Sequence, residues 1–139
     1  MASRLTELAL DCHDPEALAA FWCTALDWVV LDDEPGAVEI GPAVIGDAER
    51  LEAVRSGPVV PTIVLNEVGE GKVVKNRMHL ELSPTDRSHD DEVARLLDLG
   101  ATRADVGQTG DESWTVLADP QGNEFCVLRS LAPEHFSLG

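Results

Sequence analysis

Two stretches of the chain alternate apolar and polar residues and then switch to helical spacing. In the first, Thr6-Glu7-Leu8-Ala9-Leu10-Asp11-Cys12 reads as a half-buried strand, with Glu7, Ala9 and Asp11 on one face and Leu8 and Leu10 on the other. Asp14-Pro15 follows, with Asp14 placed to cap a helix and Pro15 to occupy its first turn. Leu18, Phe21, Trp22 and Ala25 then share one apolar helical face. In the second stretch, Met78-His79-Leu80-Glu81-Leu82 alternates again, which sets His79 and Glu81 together, opposite Leu80 and Leu82. A polar break at Ser83-Pro84-Thr85-Asp86 leads to a helix whose Val93, Leu96 and Leu97 share a face and which Gly100 ends.

Each helix is followed by short strand signals. They cover 28–31, 37–40 and 62–68 in the first half, and 102–106, 113–118 and 124–129 in the second. Asp119-Pro120-Gln121-Gly122-Asn123 is a tight-turn sequence between two apolar runs. The pattern is βαβββ written twice, with a first repeat over about 4–68, a linker over 69–75 and a second repeat over about 76–129, all in one domain spanning 1–139. The segment 41–60 is too long for a hairpin loop, and 47–55 has the makings of a short helix. It is expected as an insertion over the mouth or edge of the first half.

Composition narrows the function classes. With 139 residues and an apolar fraction of 44%, the chain has enough material for one real core. No apolar run nears the ~18 residues of a membrane span, and the first residues lack the basic and apolar regions of a secretory leader. Cys12, Cys23 and Cys126 are an odd set without CxxC spacing, so a disulfide framework is not expected and a cytoplasmic location is. Twenty-six acidic residues against ten Lys and Arg leave a formal charge of -16. Such a surface repels nucleic acid and anionic lipid, so neither is expected as a partner. It would attract cationic small molecules, or simply keep the protein in solution.

Three runs bear a family resemblance. Phe21-Trp22 with Leu26-Asp27-Trp28, then Lys75-Asn76-Arg77-Met78-His79-Leu80-Glu81-Leu82, then Trp114 through Asp119-Pro120-Gln121-Gly122-Asn123-Glu124-Phe125-Cys126-Val127-Leu128 resemble the glyoxalase-like proteins of the vicinal oxygen chelate superfamily. That group includes glyoxalase, bleomycin-resistance proteins and ring-cleaving dioxygenases. The resemblance implies an α+β fold in which two βαβββ units curl mixed sheet around a cavity. In metal-dependent members, inward side chains from the first and last strands of each half hold one divalent ion that chelates substrate oxygens. Carried over residue by residue, it implies Glu7, Asn66, His79 and Cys126 as metal ligands. Asn and Cys depart from the family's usual His and Glu, and a thiolate favours a softer ion such as zinc or nickel. The alternative is no ion at all, with Cys126 a small buried hydrophobe, His79 hydrogen-bonded in the cup and Glu7 paired with a base or touching ligand directly.

Catalysis, on this resemblance, is proton transfer by Glu7 or His79 in a lyase or isomerase acting on a small oxygenated metabolite. The competing expectation is a non-catalytic resistance protein that sequesters a cationic drug between the subunits of a homodimer. Trp114, Glu124 and Arg77 are expected at the substrate, with Glu124 about 7 Å along the strand from Cys126. Trp114 fits core or cup equally. Lys72, Lys75 and Arg77 form the basic cluster, suited to an anion or to local ion pairs. His13 reads as a turn residue, and His89 and His135 as solvated. Trp22 and Trp28 read as packing residues. No GxSxG elbow, phosphate-cradling glycine loop or HExxH motif occurs.

Overall fold

A computed structural model describes residues 3–137. It divides into two compact units with the boundary between Gly71 and Lys72. Each has α+β architecture, and the two share one topology.

The first unit runs β1 (Glu7–Cys12), α1 (Pro15–Leu26), β2 (Val29–Glu34), β3 (Ala37–Gly41), α2 (Asp47–Ser56) and β4 (Thr62–Glu67). Its sheet order is β1-β4-β3-β2, with β1 parallel to β4 and the other pairs antiparallel. The Asp14 carboxylate accepts the Ala17 N–H at 3.0 Å and Pro15 opens α1, as the sequence pattern predicts. Leu18, Phe21 and Trp22 of α1 are buried together with Val38, Ile40, Ile63 and Leu65 of the sheet. Phe21 and Trp22 meet edge to face at 5.1 Å. The helix ends at Asp27, whose φ of 55° is the left-handed C-cap conformation.

Segment 41–60 holds α2, as its composition suggests, but α2 buries none of its side chains. It is attached by charge instead. Arg50 donates to Glu39 Oε1 at 2.8 Å and to Thr62 Oγ1 at 3.2 Å, and Thr62 donates to the same Glu39 oxygen at 2.7 Å. Glu39 and Thr62 alternate with the buried residues of β3 and β4, so α2 lies against the sheet face opposite α1.

The second unit runs β5 (Leu80–Leu82), α3 (His89–Leu99), β6 (Thr102–Arg103), β7 (Thr115–Ala118) and β8 (Glu124–Val127). The order β5-β8-β7-β6, with β5 parallel to β8, repeats the first sheet, and neither sheet closes into a barrel. Val93 and Leu96 of α3 are buried with Leu117, Phe125 and Val127. Ser88 caps α3 through the Asp91 N–H at 3.1 Å, and Gly100 ends it at φ 121°. The strands expected over 102–106 and 113–118 are shorter than the pattern implied. Between them, Gln108, Asp105 and Glu112 bond loop N–H groups of Val106, Gly107, Thr109 and Gly110, so these groups have partners without a ladder. Among the described residues, no helix is long and apolar enough to cross a membrane.

Candidate active site in the second unit

The face of the second sheet turned away from α3 carries the chemistry. Phe125 and Val127 point into the core, so alternation turns Glu124 and Cys126 to the opposite face. Glu81 is the parallel partner of Cys126, and Val116 its antiparallel partner. Glu81, Cys126 and Val116 therefore form one row across three strands. His79 precedes β5 by one residue and lies on the Glu81 side of the alternation.

These residues floor a pocket of about 460 Å³, lined also by Lys75, Val106, Trp114, Glu124 and Leu128. His79 Nδ1 stands 2.6 Å from Glu81 Oε1, both side chains being a little over one third exposed. The potential donor atoms of His79, Glu81 and Cys126 all lie within 4.8 Å of one another. Burial, reinforced by a hydrogen bond and the negative charge of Glu81, pushes the Cys126 thiol up to about 11, against a weaker opposing pull from Lys75. The thiol is thus protonated at neutral pH and a poor nucleophile on its own.

The donor chemistry fits a divalent ion. Ligands at about 2.0–2.3 Å from a tetrahedral zinc lie about 3.3–3.8 Å from one another, a spacing that donor atoms within 4.8 Å reach by turning side chains. Cys126 is 6% exposed and held in the ladder, whereas His79 and Glu81 have room to turn. A thiolate, an imidazole and a carboxylate are a borderline-soft set that suits zinc.

Glu124 is bound otherwise. Its Oε1 meets Lys72 Nζ at 2.6 Å and its Oε2 accepts the Asn76 N–H at 3.0 Å. Burial opposes ionisation there, but the bonds from Lys72 and Asn76 win and hold the carboxyl below its ordinary range. Asn76 also donates to Asn123 Oδ1 at 3.3 Å. Asn123 is locked by the buried Asp119, which accepts its backbone and side-chain N–H groups and that of Gln121. The segment leading to His79 is thereby tied to the tight turn before β8.

Glu7 and Asn66 lie in the sheet of the first unit. Register places Glu7 beside Thr62 and Asn66 beside Asp11. Four residues of strand, about 13 Å, separate Glu7 from Asn66, too far for both to reach one ion. Glu7 is exposed and Asn66 half-buried, and both belong to the first unit. Arg77 is exposed just before β5, and the basic residue lining the pocket is Lys75. Trp114, equally suited to core or cup by sequence, lines the pocket and is 44% exposed. His13 lies in its turn against Glu70 O at 3.0 Å. His89 is not fully solvated, since its Nε2 meets Thr115 Oγ1 at 3.1 Å. The residue that sequence reasoning passed over as a ligand is Glu81, although its shared face with His79 was visible in the alternation.

Comparisons with known proteins agree with the architecture. The model of the glyoxalase-like domain matches residues 7–128. A glyoxalase/bleomycin resistance protein/dioxygenase family enzyme from Burkholderia phytofirmans PsJN superposes with a TM-score of 0.61 at 17% identity, covering 91% of this chain and 97% of that one. A mutant of the fosfomycin resistance protein FosX from Listeria monocytogenes, complexed with Mn(II) and 1S,2S-dihydroxypropylphosphonic acid, gives 0.62 at 14% identity, covering 94% and 92%. A glyoxalase/bleomycin resistance protein from Albidiferax ferrireducens T118 gives 0.54 at 16%, covering 88% and 95%. At such identities the likeness is one of fold. No curated protein matches the chain. With its repeated βαβββ topology and a family match from the first strand to just past the last, the chain belongs to the glyoxalase-like domain family, within the vicinal oxygen chelate superfamily.

Proposed function

We propose that the pocket of the second unit is the active site of an enzyme acting on a small oxygenated metabolite by proton transfer, in a reaction of the lyase or isomerase type. The observation that supports this reading is the group of His79, Glu81 and Cys126 on the floor of a pocket of about 460 Å³. That volume is within the usual range of small-molecule sites, and the lining combines an apolar wall with a few convergent polar groups. With Nδ1 directed at Glu81, the Nε2 atom of His79 is the one placed to exchange a proton with substrate. Lys75 supplies positive charge at the rim, where it favours oxygen that becomes negative.

His79, Glu81 and Cys126 are the residues that would hold a divalent ion, with zinc favoured by the thiol; His79 would then be a ligand rather than the base, and the Glu81 oxygen not directed at the ion would take the proton. When bound, such an ion supplies Lewis-acid polarisation of an oxygen and eases loss of a neighbouring proton. The reading as a drug-sequestering protein rests on the charge of -16 together with the departure of Asn66 and Cys126 from the family's usual ligands. The pocket itself sets Lys75 against Glu81, and Glu124 is already paired with Lys72.

Calorimetric titration of chelator-treated protein with zinc tests the proposal. One ion per chain is expected, with affinity at least about tenfold weaker in His79→Ala and in Cys126→Ala. Absence of binding, or wild-type affinity retained in both variants, overturns the metal-assisted reading.

A further inference from the structure

The pocket is polar at one corner and apolar at the other, and the geometry points to the substrate class: a flat, ring-bearing molecule with its oxygen functions about one ring length from the ring. This rests on the pocket being the substrate site. The sheet register lays out the floor as rows. Glu81, Cys126 and Val116 form the middle row. His79 and Glu124 lie on one side of it. Continuing the Thr115–Val127 pair by one residue sets Trp114 against Leu128 on the other side. Proton-transferring and ligating groups thus gather on β5 and β8, while Trp114, Val116, Leu128 and Val106 make an apolar wall toward β7.

Trp114 is displaced from the Cys126 row by two residues, about 7 Å along the strand. A two- or three-carbon substrate held at the His79 corner would leave Trp114 untouched. A ring reaching across would cover Trp114, which is 44% exposed although it is the largest apolar side chain of the pocket. Aromatic rings recover area and stacking energy on such a surface. Trp114 is then a specificity determinant, with no part in proton transfer.

Two neutral diols that differ only in the ring test this: 1-phenyl-1,2-ethanediol and 1,2-propanediol. Affinities are measured by ligand-observed NMR on the full chain, with and without zinc. The phenyl compound is expected to bind at least about tenfold more tightly. That preference should fall below about threefold in Trp114→Ala and return in Trp114→Phe, while His79→Ala weakens both diols alike. Equal affinities, no binding of either diol, or a preference that survives Trp114→Ala would overturn the substrate class. Zinc binding by the same samples, scored separately, shows whether the metal-assisted reading has failed as well.

Discussion

Glu81 and Cys126 are direct partners across a parallel strand pair, and their side chains share the open face of the second sheet. The carboxylate therefore meets a thiol from the neighbouring strand and an imidazole two residues back on its own. Burial raises the thiol, this proximity adds to the shift, and the same proximity assembles three groups able to ligate an ion.

The first consequence is a pH dependence. The Cys126 thiol titrates at about 11 in the fold against an ordinary value near 9. Between those values the unfolded chain has lost the proton and the native chain keeps it, so stability falls as pH rises through the window. Subtracting the profile of Cys126→Ala from that of the wild type in thermal melts isolates the effect. The wild type should lose more stability between about pH 9 and 11 than the variant, and the two should run parallel below that window.

Ion binding that uses this thiol releases its proton. Affinity for zinc should accordingly rise by about tenfold per pH unit above neutrality. Calorimetry in buffers of different ionisation enthalpy counts the proton. A count near zero would remove Cys126 from the ligand set.

Glu124 ties down the segment before β5 through Lys72 and the Asn76 N–H. In Glu124→Gln, trypsin should cut faster after Lys72, Lys75 and Arg77, while the global melting temperature changes little. Unaltered cleavage would mean that the segment is held by other contacts.

Asp119, 2% exposed, accepts from Gln121 and Asn123 inside the turn. Its replacement by Ala leaves several donors without partners and should cost about 2–4 kcal/mol in chemical denaturation. Asp119→Asn should recover part of that. A loss below about 1 kcal/mol would show that water takes over these bonds.

Arg50 attaches α2, none of whose side chains is fully buried. Arg50→Ala should speed amide exchange over 47–56 by more than in β1, β3 or β4, while global stability falls by no more than about 1 kcal/mol. Uniform acceleration across the first unit would instead make α2 part of its core.

Sequence periodicity was enough for the repeated topology, the Asp14 cap, the Gly100 stop and the turn at Asp119, because each depends on neighbours within a few residues. It also identified faces: His79 with Glu81, and Glu124 with Cys126. It did not supply register. Which residue of β4 lies beside Glu7 depends on how two distant strands slide past each other, and the alternation is the same for every shift of two residues. Asn66 looked equivalent to Cys126 because both follow apolar runs. The pairing shows that Asn66 is opposite Asp11, whereas Cys126 is opposite Glu81. The exposure of Trp114 was equally hidden, since it depends on where β7 starts, and the loop before it takes its hydrogen bonds locally.

Cobalt(II) titration followed by absorption tests the central claim most directly, because a thiolate bound to the ion produces a near-ultraviolet charge-transfer band. One equivalent should raise that band in the wild-type chain, with little or none in Cys126→Ala and a weakened, shifted band in His79→Ala and Glu81→Gln. A wild-type spectrum without the band, or a band that survives the loss of Cys126, would contradict a metal centre built from these three side chains.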